Sequence, residues 1–414
     1  MAQLRDDCFA GGEAVLGVEE AAARVAAGVL PLPGEERVAL RAARGRVLAR
    51  NLIAGQHLPP FFNSAVDGYA FAHADLRPDG AWLRLAGRAV AGQAAPALAR
   101  GQALRVMTGA PMPVGADTVI MQEDAALDGG TLRLPPGLPR GANCRPAGED
   151  VARGAIALPK GRRLGPAEIG LAAALGLAGL SVTPRPRVGV FSTGNELVSP
   201  GRTLGGARIF DSNRFALLAL LDGLPVEAVD LGILRDRPGE LAGAIAAAAA
   251  SHDLLITSGG VSVGEEDHTR AAIEAAGSLA FWRLAIKPGK AAAMGVVGGT
   301  PVLGLPGNPV AAIVTFLHLA RPLILRLAGA APAPLPRFPA VADFAHRKKP
   351  GRREYLRVSL VPGGTVPLAR KEARDGAGLL SSLTRADAFA ELAEDRESVE
   401  PGEAVTVLPF AALL

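Results

Sequence analysis

The chain has 414 residues, of which 49% are hydrophobic and 20% charged, a composition typical of folded globular proteins rather than disordered ones. This length is too great for one hydrophobic core and predicts roughly two to four domains. The net charge is +4, but the only dense basic cluster lies at 346–353, so we expect no nucleic-acid partner. Cys8 and Cys144 have no CxxC neighbours, so neither a disulfide framework nor a cysteine-based zinc site is expected.

No targeting or membrane segment is visible. The N-terminal residues include acids and lack the basic stretch and apolar stretch of a signal peptide. The most apolar segment, 310–329, is interrupted by His318, Arg321 and Pro322, which favours a buried helix over a membrane span. We therefore expect a cytoplasmic protein that does not bind membranes.

The pattern of apolar residues in the first half of the chain changes twice, from helical spacing to strand-like runs and back. Residues 13–54 have apolar positions three and four residues apart, which predicts helices, and 165–180 repeats that pattern. Between them, 72–143 contains short apolar runs separated by glycine and proline clusters, which indicates strands. The sequence thus predicts a helical domain with a β-rich domain inserted into it. The boundaries predicted for the helical domain are 1–56 and 144–184, and for the inserted domain 57–143.

The second half alternates strands with helices. Apolar runs that end in serine, threonine or glycine are separated by helical patterns over 185–330, which predicts βαβ units, a parallel sheet and a three-layer α/β domain. Ligands of such sheets bind beyond the carboxyl ends of the strands. After a proline-rich linker, 331–414 contains short strands and suits a small β-barrel. The predicted fold class is multidomain α/β plus β.

A glycine-rich loop, SGGVSVG, follows a predicted strand at 258–264. Its glycines let a ligand approach the backbone, and its N–H groups and hydroxyls suit phosphate oxygens. The alternative is a strand-to-helix turn in which the acids at 265–267 cap the helix. The residues predicted to hold phosphate are Ser258, Gly259, Gly260 and Ser262.

Two further segments repeat this pattern. Ser192, Thr193 and Gly194 end a strand and suit an anion, although an ordinary strand exit would look the same. Asp211 and Ser212 precede a helix, where capping and phosphate binding are both compatible with the sequence.

Three acids follow three separate strands: Glu196, Asp236 and Asp267. Carboxylates that converge on one edge repel one another unless a cation offsets them. Mg²⁺ with a phosphorylated ligand would do so, and we predict that these acids hold the metal.

Two turns complete the predicted edge. Lys287 and Lys290 flank a Pro-Gly turn and suit an oxyanion, with surface solvation as the alternative. Pro306 and Pro309 stiffen a turn before a helix, which suits a binding wall or a purely structural turn.

Eight motifs together resemble the MoeA-type molybdenum insertases, a family that includes the gephyrin E domain. The resemblance extends from about residue 13 to 410 and rests on the order of the motifs. They are NSAVDGYAF (63–71), MTGAPMPVGADTVIMQE (107–123), AGEDV (147–151), FSTGNEL (191–197), FDSN (210–213), TSGGVSVGEEDHT (257–269), LAIKPGK (284–290) and GLPGNPVA (304–311).

The resemblance implies a four-domain homodimer with a MogA-like α/β domain and an active site shared between subunits. The implied reaction consumes adenylylated molybdopterin and molybdate, inserts the metal at the dithiolene, releases AMP and requires Mg²⁺. It also implies contact with the molybdopterin adenylyltransferase and with recipient molybdoenzymes.

The resemblance also assigns residues. Asp67, Thr108 and Asp150 match family positions that face the partner subunit's α/β domain. The acids on the α/β domain match Glu196, Asp236 and Asp267, and the basic residues of the molybdate pocket match Lys287 and Lys290. Contributors from the C-terminal domain match Arg352 and Ser381.

Three other functions are compatible with parts of this sequence. An adenylyltransferase of the MogA type shares the α/β domain, but such proteins are shorter and carry a TGGTG loop where this chain has SGGVS. A receptor-clustering scaffold like gephyrin requires further domains and a linker, which we do not see. A generic nucleotide enzyme is disfavoured because GxxxxGK[ST] and GxGxxG are absent from the sequence.

Overall fold

The chain folds into two compact units in a computed structural model. The residues that the structure describes are 15–235, 240–259, 268–374 and 376–413. The larger unit comprises Met1–Arg50, Lys160–Gly165 and Ser181–Leu414. The smaller unit comprises Asn51–Pro159 and Pro166–Leu180.

The N-terminal segment of the larger unit contains β1 (Val15–Leu16), α1 (Val18–Ala27) and β2 (Glu36–Ala39). The helix predicted over 13–54 is therefore right for α1 and wrong for the rest. Val47 and Leu48 pair instead with Arg163 and Val182, which are remote in sequence. These long-range backbone hydrogen bonds outweigh the local helical pattern.

The smaller unit is mostly β-structure, which confirms the β-rich prediction for its central part. A six-stranded sheet has the order β8–β5–β7–β6–β10–β9. Tyr69 and Phe71 of β5 face one apolar core, and Ala70 faces another, because side chains alternate along a strand. Its elements are β3 (Leu52–Ile53), β4 (Asn63–Ser64), β5 (Gly68–Phe71), β6 (Ala81–Ala89), β7 (Gln102–Val106), β8 (Thr118–Met121), β9 (Ala126–Asp128), β10 (Thr131–Leu134), β11 (Cys144–Arg145), β12 (Ile156–Leu158) and α2 (Pro166–Ala174). β13 (Gly179–Val182) follows.

The α/β part of the larger unit contains a seven-stranded sheet of order β1–β19–β21–β22–β18–β14–β17. The four strands β22, β18, β14 and β17 are parallel, as predicted, and β21 and β19 add antiparallel pairs. The elements are β14 (Arg187–Thr193), β15 (Leu197–Val198), β16 (Ile209–Phe210), α3 (Asn213–Asp222), β17 (Glu227–Leu234), α4 (Glu240–Ala249), β18 (Leu254–Ser258), α5 (His268–Ala276), β19 (Gly277–Leu284), β20 (Ile286–Lys287), β21 (Ala291–Val297), β22 (Thr300–Leu305), α6 (Pro309–Thr315) and α7 (Arg321–Leu327).

Helices cover both faces of this sheet. Leu254 and Ile256 of β18 pack into a core with α1, α3, α6 and α7, whereas Leu255 packs on the opposite face with α4 and α5. Residues two apart on a strand share a face, so burial on both sides produces a continuous apolar run. The predicted three-layer α/β arrangement is confirmed.

One helical stretch in the described residues, Pro309–Leu327, is long and apolar enough to cross a membrane. It runs from α6 through the π-helical turn Phe316–Ala320 into α7, and 83% of its most apolar window is buried within the fold. Burial in the protein core accounts for its hydrophobicity, as the sequence predicted.

The C-terminal part of the larger unit is a small barrel. Strands β25, β26, β23, β29 and β27 pair in that order, and β27 pairs back with β25 to close the ring. β20 joins the edge of this sheet by pairing with β25. The elements are β23 (Phe338–Ala342), β24 (His346–Arg347), β25 (Arg353–Val361), β26 (Leu368–Lys371), α8 (Ser381–Arg385), β27 (Ala388–Leu392), β28 (Ser398–Val399), β29 (Ala404–Pro409) and α9 (Phe410–Leu413).

His318, in the π-helical turn, predicts a pH dependence of stability. It is 8% exposed and packs against Tyr355, and its burial lowers its pKa from 6.5 to about 4. Between these values the unfolded chain binds a proton that the folded chain does not, so stability falls as the pH drops. We expect the free energy of unfolding to fall by about 3 kcal/mol from pH 6.5 to pH 4 on account of this residue.

Urea unfolding of the wild type and of His318→Gln at several pH values measures this contribution. The variant should show a flatter dependence of the free energy of unfolding on pH across that interval. Parallel curves for the two proteins would contradict the assignment to His318.

Candidate functional site

Two adjoining cavities lie at the carboxyl ends of β14, β18 and β22. The larger has a volume of about 610 Å³ and extends to β25 of the barrel, and the smaller has about 400 Å³ and reaches the start of α3. Both are lined by Glu196, Gly259, Gly307 and Asn308, so they share a wall. This is the edge at which parallel α/β sheets bind ligands.

Most of the α/β residues predicted from the sequence lie on these walls. The larger cavity is lined by Glu196, Gly259, Lys287, Lys290 and Pro306. The smaller cavity is lined by Thr193, Glu196, Asp211, Ser212, Ser258, Gly259 and Pro309. The structure thus brings together residues from five separate predicted motifs.

Four predicted residues lie outside the described residues: Asp236, Gly260, Ser262 and Asp267. Both interpretations of the glycine-rich loop therefore stay open, and so does the convergence of three acids. Within 15–235, 240–259, 268–374 and 376–413, no group of three or more histidines, cysteines or acids could hold a metal ion. Glu196 is the predicted metal acid that the structure places at the cavities.

The turn after β14 depends on glycine. Gly194 has a φ of +144°, a conformation that other residues rarely adopt. A Cβ added there would lie 2.6 Å from a carboxylate oxygen of Glu196. The turn thus has room for the exposed carboxylate of Glu196 beside the backbone of residue 194.

A buried ion-pair network supports the smaller cavity. Asp211 is 2% exposed and accepts hydrogen bonds from Ser192 Oγ (3.0 Å) and Arg214 Nε (2.8 Å). Arg214 also pairs with Asp230. Both carboxylate oxygens of Asp211 are therefore engaged within the fold, and the contacts that Ser192 and Asp211 make are structural. Their binding of a ligand stays a prediction.

Hydrogen bonds between side chains and turns fix the cavity floor. Asn213 Nδ2 donates to Ser258 Oγ (2.8 Å) and to the carbonyl oxygen of Gly307 (2.7 Å). Ser258 Oγ donates to the carbonyl oxygen of Pro306 (3.0 Å). Thr193 Oγ1 lies 2.6 Å from the Oγ1 of Thr269. The end of β18 is therefore tied through polar groups to α3 and to the turn after β22, and the end of β14 is tied to α5.

The far wall of the larger cavity carries positive charge. Lys287 Nζ lies 3.2 Å from Glu354 Oε2, and that carboxylate is only 1% exposed. Lys290 is exposed and has no ion pair within the described parts of the chain, whereas Arg357 is 3% exposed and donates to the carbonyl oxygen of Arg374. The wall therefore carries Lys287, whose charge is paired with Glu354, and Lys290, which has no ion pair among the described residues.

Several wall residues were not predicted from the sequence, namely Gly307, Asn308, Glu354 and Arg357. Asn308 lies between Pro306 and Pro309, which were predicted, and Glu354 and Arg357 lie two and five residues after Arg352. The signal that could have indicated Glu354 and Arg357 is that both are charged residues on a strand directly after the basic cluster at 346–353. Arg352 and Ser381, which were predicted, are close in sequence to the wall residues Glu354 and Ala377 but do not line either cavity.

The smaller unit holds the remaining predicted residues. Thr108 donates two hydrogen bonds of 2.7 Å, from N and from Oγ1, to Oδ1 of Asp67. The backbone and side-chain hydrogen bonds from Thr108 lower the pKa of Asp67, so this carboxylate is charged at neutral pH. Asp150 is exposed, and its N–H donates to the carbonyl oxygen of Leu58. The structure joins Asp67 to Thr108 and shows no contact between either and Asp150.

Cavities at the strand ends of a three-layer α/β domain, lined here by lysines, serines and a carboxylate, are the usual ligand-binding position of this class of protein. Comparison with known families matches 16–176 to "MoeA N-terminal region (domain I and II)", 189–326 to "Probable molybdopterin binding domain" and 339–410 to "MoeA C-terminal region (domain IV)". The chain belongs to the MoeA family, which confirms the resemblance inferred from its motifs.

Curated relatives agree over nearly the whole length. A molybdopterin molybdenumtransferase of Haemophilus influenzae is 40% identical over 93% of this chain and 96% of its own. One of Nostoc sp. is 35% identical over 90% and 88%. A crystal structure of a molybdopterin biosynthesis MoeA protein from Pyrococcus horikoshii is 28% identical, covers 96% of this chain and 100% of its own, and has a TM-score of 0.80. The adenylyltransferase alternative is not favoured, because MoeA-specific regions flank the α/β domain on both sides.

Proposed function

We propose that this protein is a molybdopterin molybdotransferase, which takes adenylylated molybdopterin and molybdate and releases AMP with the molybdenum cofactor. The observation that carries the proposal is the larger cavity, where Lys287, Lys290 and Arg357 line the carboxyl-end edge of the sheet opposite Glu196. The family relation supports the same reaction.

The cationic wall suits molybdate. A tetrahedral dianion requires charged donors, and charge-assisted hydrogen bonds are about twice as strong as neutral ones. Lys290 offers an ammonium without a counter-ion in the described residues, so it is the strongest candidate for direct contact. Lys287 is held by Glu354 and adds a second donor at a fixed place.

The smaller cavity suits the phosphate part of the adenylylated substrate. It opens at Ser212 and Asn213, where α3 begins, and helix N-termini favour phosphate. Glu196 lies on the wall that both cavities share. A ligand that spans both would place its phosphates beside one carboxylate and its reacting end beside the lysines.

We propose Mg²⁺ as the metal, and the carboxylate of Glu196 on the wall shared by the two cavities supports this proposal. Mg²⁺ is held by one or two carboxylates together with phosphate oxygens, and Glu196 supplies one carboxylate between the two cavities. When bound, the ion neutralises charge on the phosphoanhydride. Asp236 and Asp267 are proposed as its other carboxylates.

We also propose a cytoplasmic homodimer in which Asp67, Thr108 and Asp150 of one subunit complete the site of the other. The charged, partly exposed carboxylate of Asp67 and the family relation support this arrangement. Contact with the adenylyltransferase and with recipient molybdoenzymes would serve to receive the substrate and to pass on the product.

Asp67→Asn tests the contribution of the smaller unit. Asparagine keeps the Oδ1 acceptor for both hydrogen bonds from Thr108, so the fold should persist while the charge is lost. We expect the rate of AMP release to fall about tenfold or more. Asp128→Asn, which changes an exposed acid of β9, should leave the rate unchanged. Equal rates for both variants and the wild type would remove Asp67 from the site.

The deciding experiment incubates the protein with adenylylated molybdopterin, MgCl₂ and molybdate. Release of AMP together with activation of an apo-molybdoenzyme supports the proposal. Formation of adenylylated molybdopterin from ATP and molybdopterin, without molybdenum insertion, would indicate the adenylyltransferase activity instead.

A further inference from the structure

The cationic wall contains a buried acid that the proposed reaction does not require. Glu354 lies on β25 opposite Lys287 in the β20–β25 register, and its side chain is 1% exposed. A carboxylate on the wall of an anion site opposes the binding of anions, since like charges repel. Its presence there calls for a role beyond ligand contact.

Glu354 is held from two sides. Its Oε2 lies 3.2 Å from Lys287 Nζ and 3.1 Å from His346 Nε2. On the far side of the ring, Lys371 Nζ lies 3.2 Å from His346 Nδ1. An ammonium can only donate, so Nδ1 accepts and Nε2 carries the hydrogen that is given to Glu354. The carboxylate therefore cannot turn away from Lys287 without breaking this chain of hydrogen bonds.

The second carboxylate oxygen of Glu354, Oε1, has no hydrogen-bond donor of its own among the described residues. Oε1 is buried without a hydrogen-bond partner, and Arg352 Nε, also buried and without one, lies 3.7 Å from it. Glu354 thus receives two hydrogen bonds, both on Oε2, and one of the donors is Lys287 of the cavity wall, while Oε1 forms a longer ion pair with Arg352. Its charge therefore acts on Lys287 and Arg352 and on the cavity.

We infer that Glu354 is a positioning residue: it fixes the ammonium of Lys287 on the wall and lowers the affinity of the cavity for oxyanions. This inference rests on the proposed function, because that function makes molybdate the oxyanion that the cavity binds. A site with Lys287 and Lys290 both unopposed would retain a dianion tightly, whereas transfer requires that the anion leave for the dithiolene. Glu354 offsets one of these charges.

Two substitutions separate charge from position. Glu354→Gln keeps the size and an acceptor oxygen but removes the charge, and should lower the Kd for molybdate and for sulfate about threefold to tenfold. Its kcat should fall, because an amide oxygen holds the ammonium of Lys287 less tightly than a carboxylate oxygen does. Glu354→Asp keeps the charge but shortens the reach to Lys287, so it should keep the wild-type Kd and lower kcat.

The measurement is isothermal titration of each full-length protein with molybdate and with sulfate, together with steady-state AMP release. Glu391→Gln is the matched control, since it replaces a buried acid on the neighbouring β27 that does not line the cavity and is balanced by Arg337 and Arg353. It should leave both Kd values unchanged. Thermal unfolding checks that each variant is folded.

A double-mutant cycle with Lys287→Met tests whether Glu354 acts through Lys287. The effect of Glu354→Gln on kcat should disappear in the Lys287→Met background. Weaker or unchanged anion binding by folded Glu354→Gln would overturn the inference, and so would an undiminished kcat effect in the double variant. Failure of the wild type to bind molybdate or to release AMP would instead overturn the proposed function, and the sulfate Kd values would still decide the role of Glu354.

Discussion

Replacement of Lys290 by methionine is expected to weaken molybdate binding by about tenfold to a hundredfold. A hydrogen bond to a charged group contributes about 1.5–3 kcal/mol, and each 1.4 kcal/mol corresponds to a factor of ten. Lys290 lines the larger cavity and has no counter-ion within the described residues, so its full charge is available to the anion. Methionine keeps the unbranched side chain and removes only the charged end.

The Kd for molybdate and the KM for molybdate in AMP release both measure this effect. Lys349→Met is the control, because Lys349 is exposed on the barrel and lines neither cavity. Equal losses in the two variants would indicate a general effect of net charge and would remove Lys290 from the site.

Replacement of Arg214 by methionine should have the largest effect on stability. Arg214 is 3% exposed and is the cation that balances Asp211, which is 2% exposed. Removal of one partner from a buried ion pair leaves an uncompensated charge, which typically costs 3–5 kcal/mol. We expect the free energy of unfolding in urea to fall by about that amount.

Arg24→Met provides the comparison on the surface. The ion pair of Arg24 with Glu20 joins side chains that are 45% and 52% exposed, and such pairs contribute about 0–1 kcal/mol. If Asp211→Asn is added to Arg214→Met, part of the lost stability should return, because the stranded charge is gone. No recovery in that double variant would show that Arg214 stabilises the fold by packing alone.

The α/β domain could be predicted from the sequence because its signals are local and agree with one another. The strand Leu254–Ser258 begins with three apolar residues and is buried along its whole length, as a strand covered on both faces is, and Asn213–Asp222 follows a capping sequence. The cavity residues of this domain were predictable for the same reason, since strand ends in a parallel sheet meet at one edge.

The structure of residues 34–51 and the roles of Glu354 and Asp211 depend on contacts between residues far apart in the sequence, which a local pattern cannot predict. Residues 34–51 have helical spacing, but their backbone partners lie more than a hundred residues away, and those partners decide the structure. Glu354 could not be placed because its role requires β20 and β25 to pair, and nothing near either strand predicts that pairing. Asp211 was predicted to contact a ligand, yet whether its oxygens are free depends on Arg214, which the capping pattern does not address.

The pairing of β20 with β25 limits how this protein can be rebuilt from the parts of its relatives. Arg353 N donates to the carbonyl oxygen of Ala285, and Tyr355 and Phe389 of the barrel belong to the same apolar core as α1, α6 and α7. The barrel therefore cannot be exchanged as an independent cassette. A chimera that takes the C-terminal region from another MoeA protein must also take the matching surfaces of β20 and the π-helical turn.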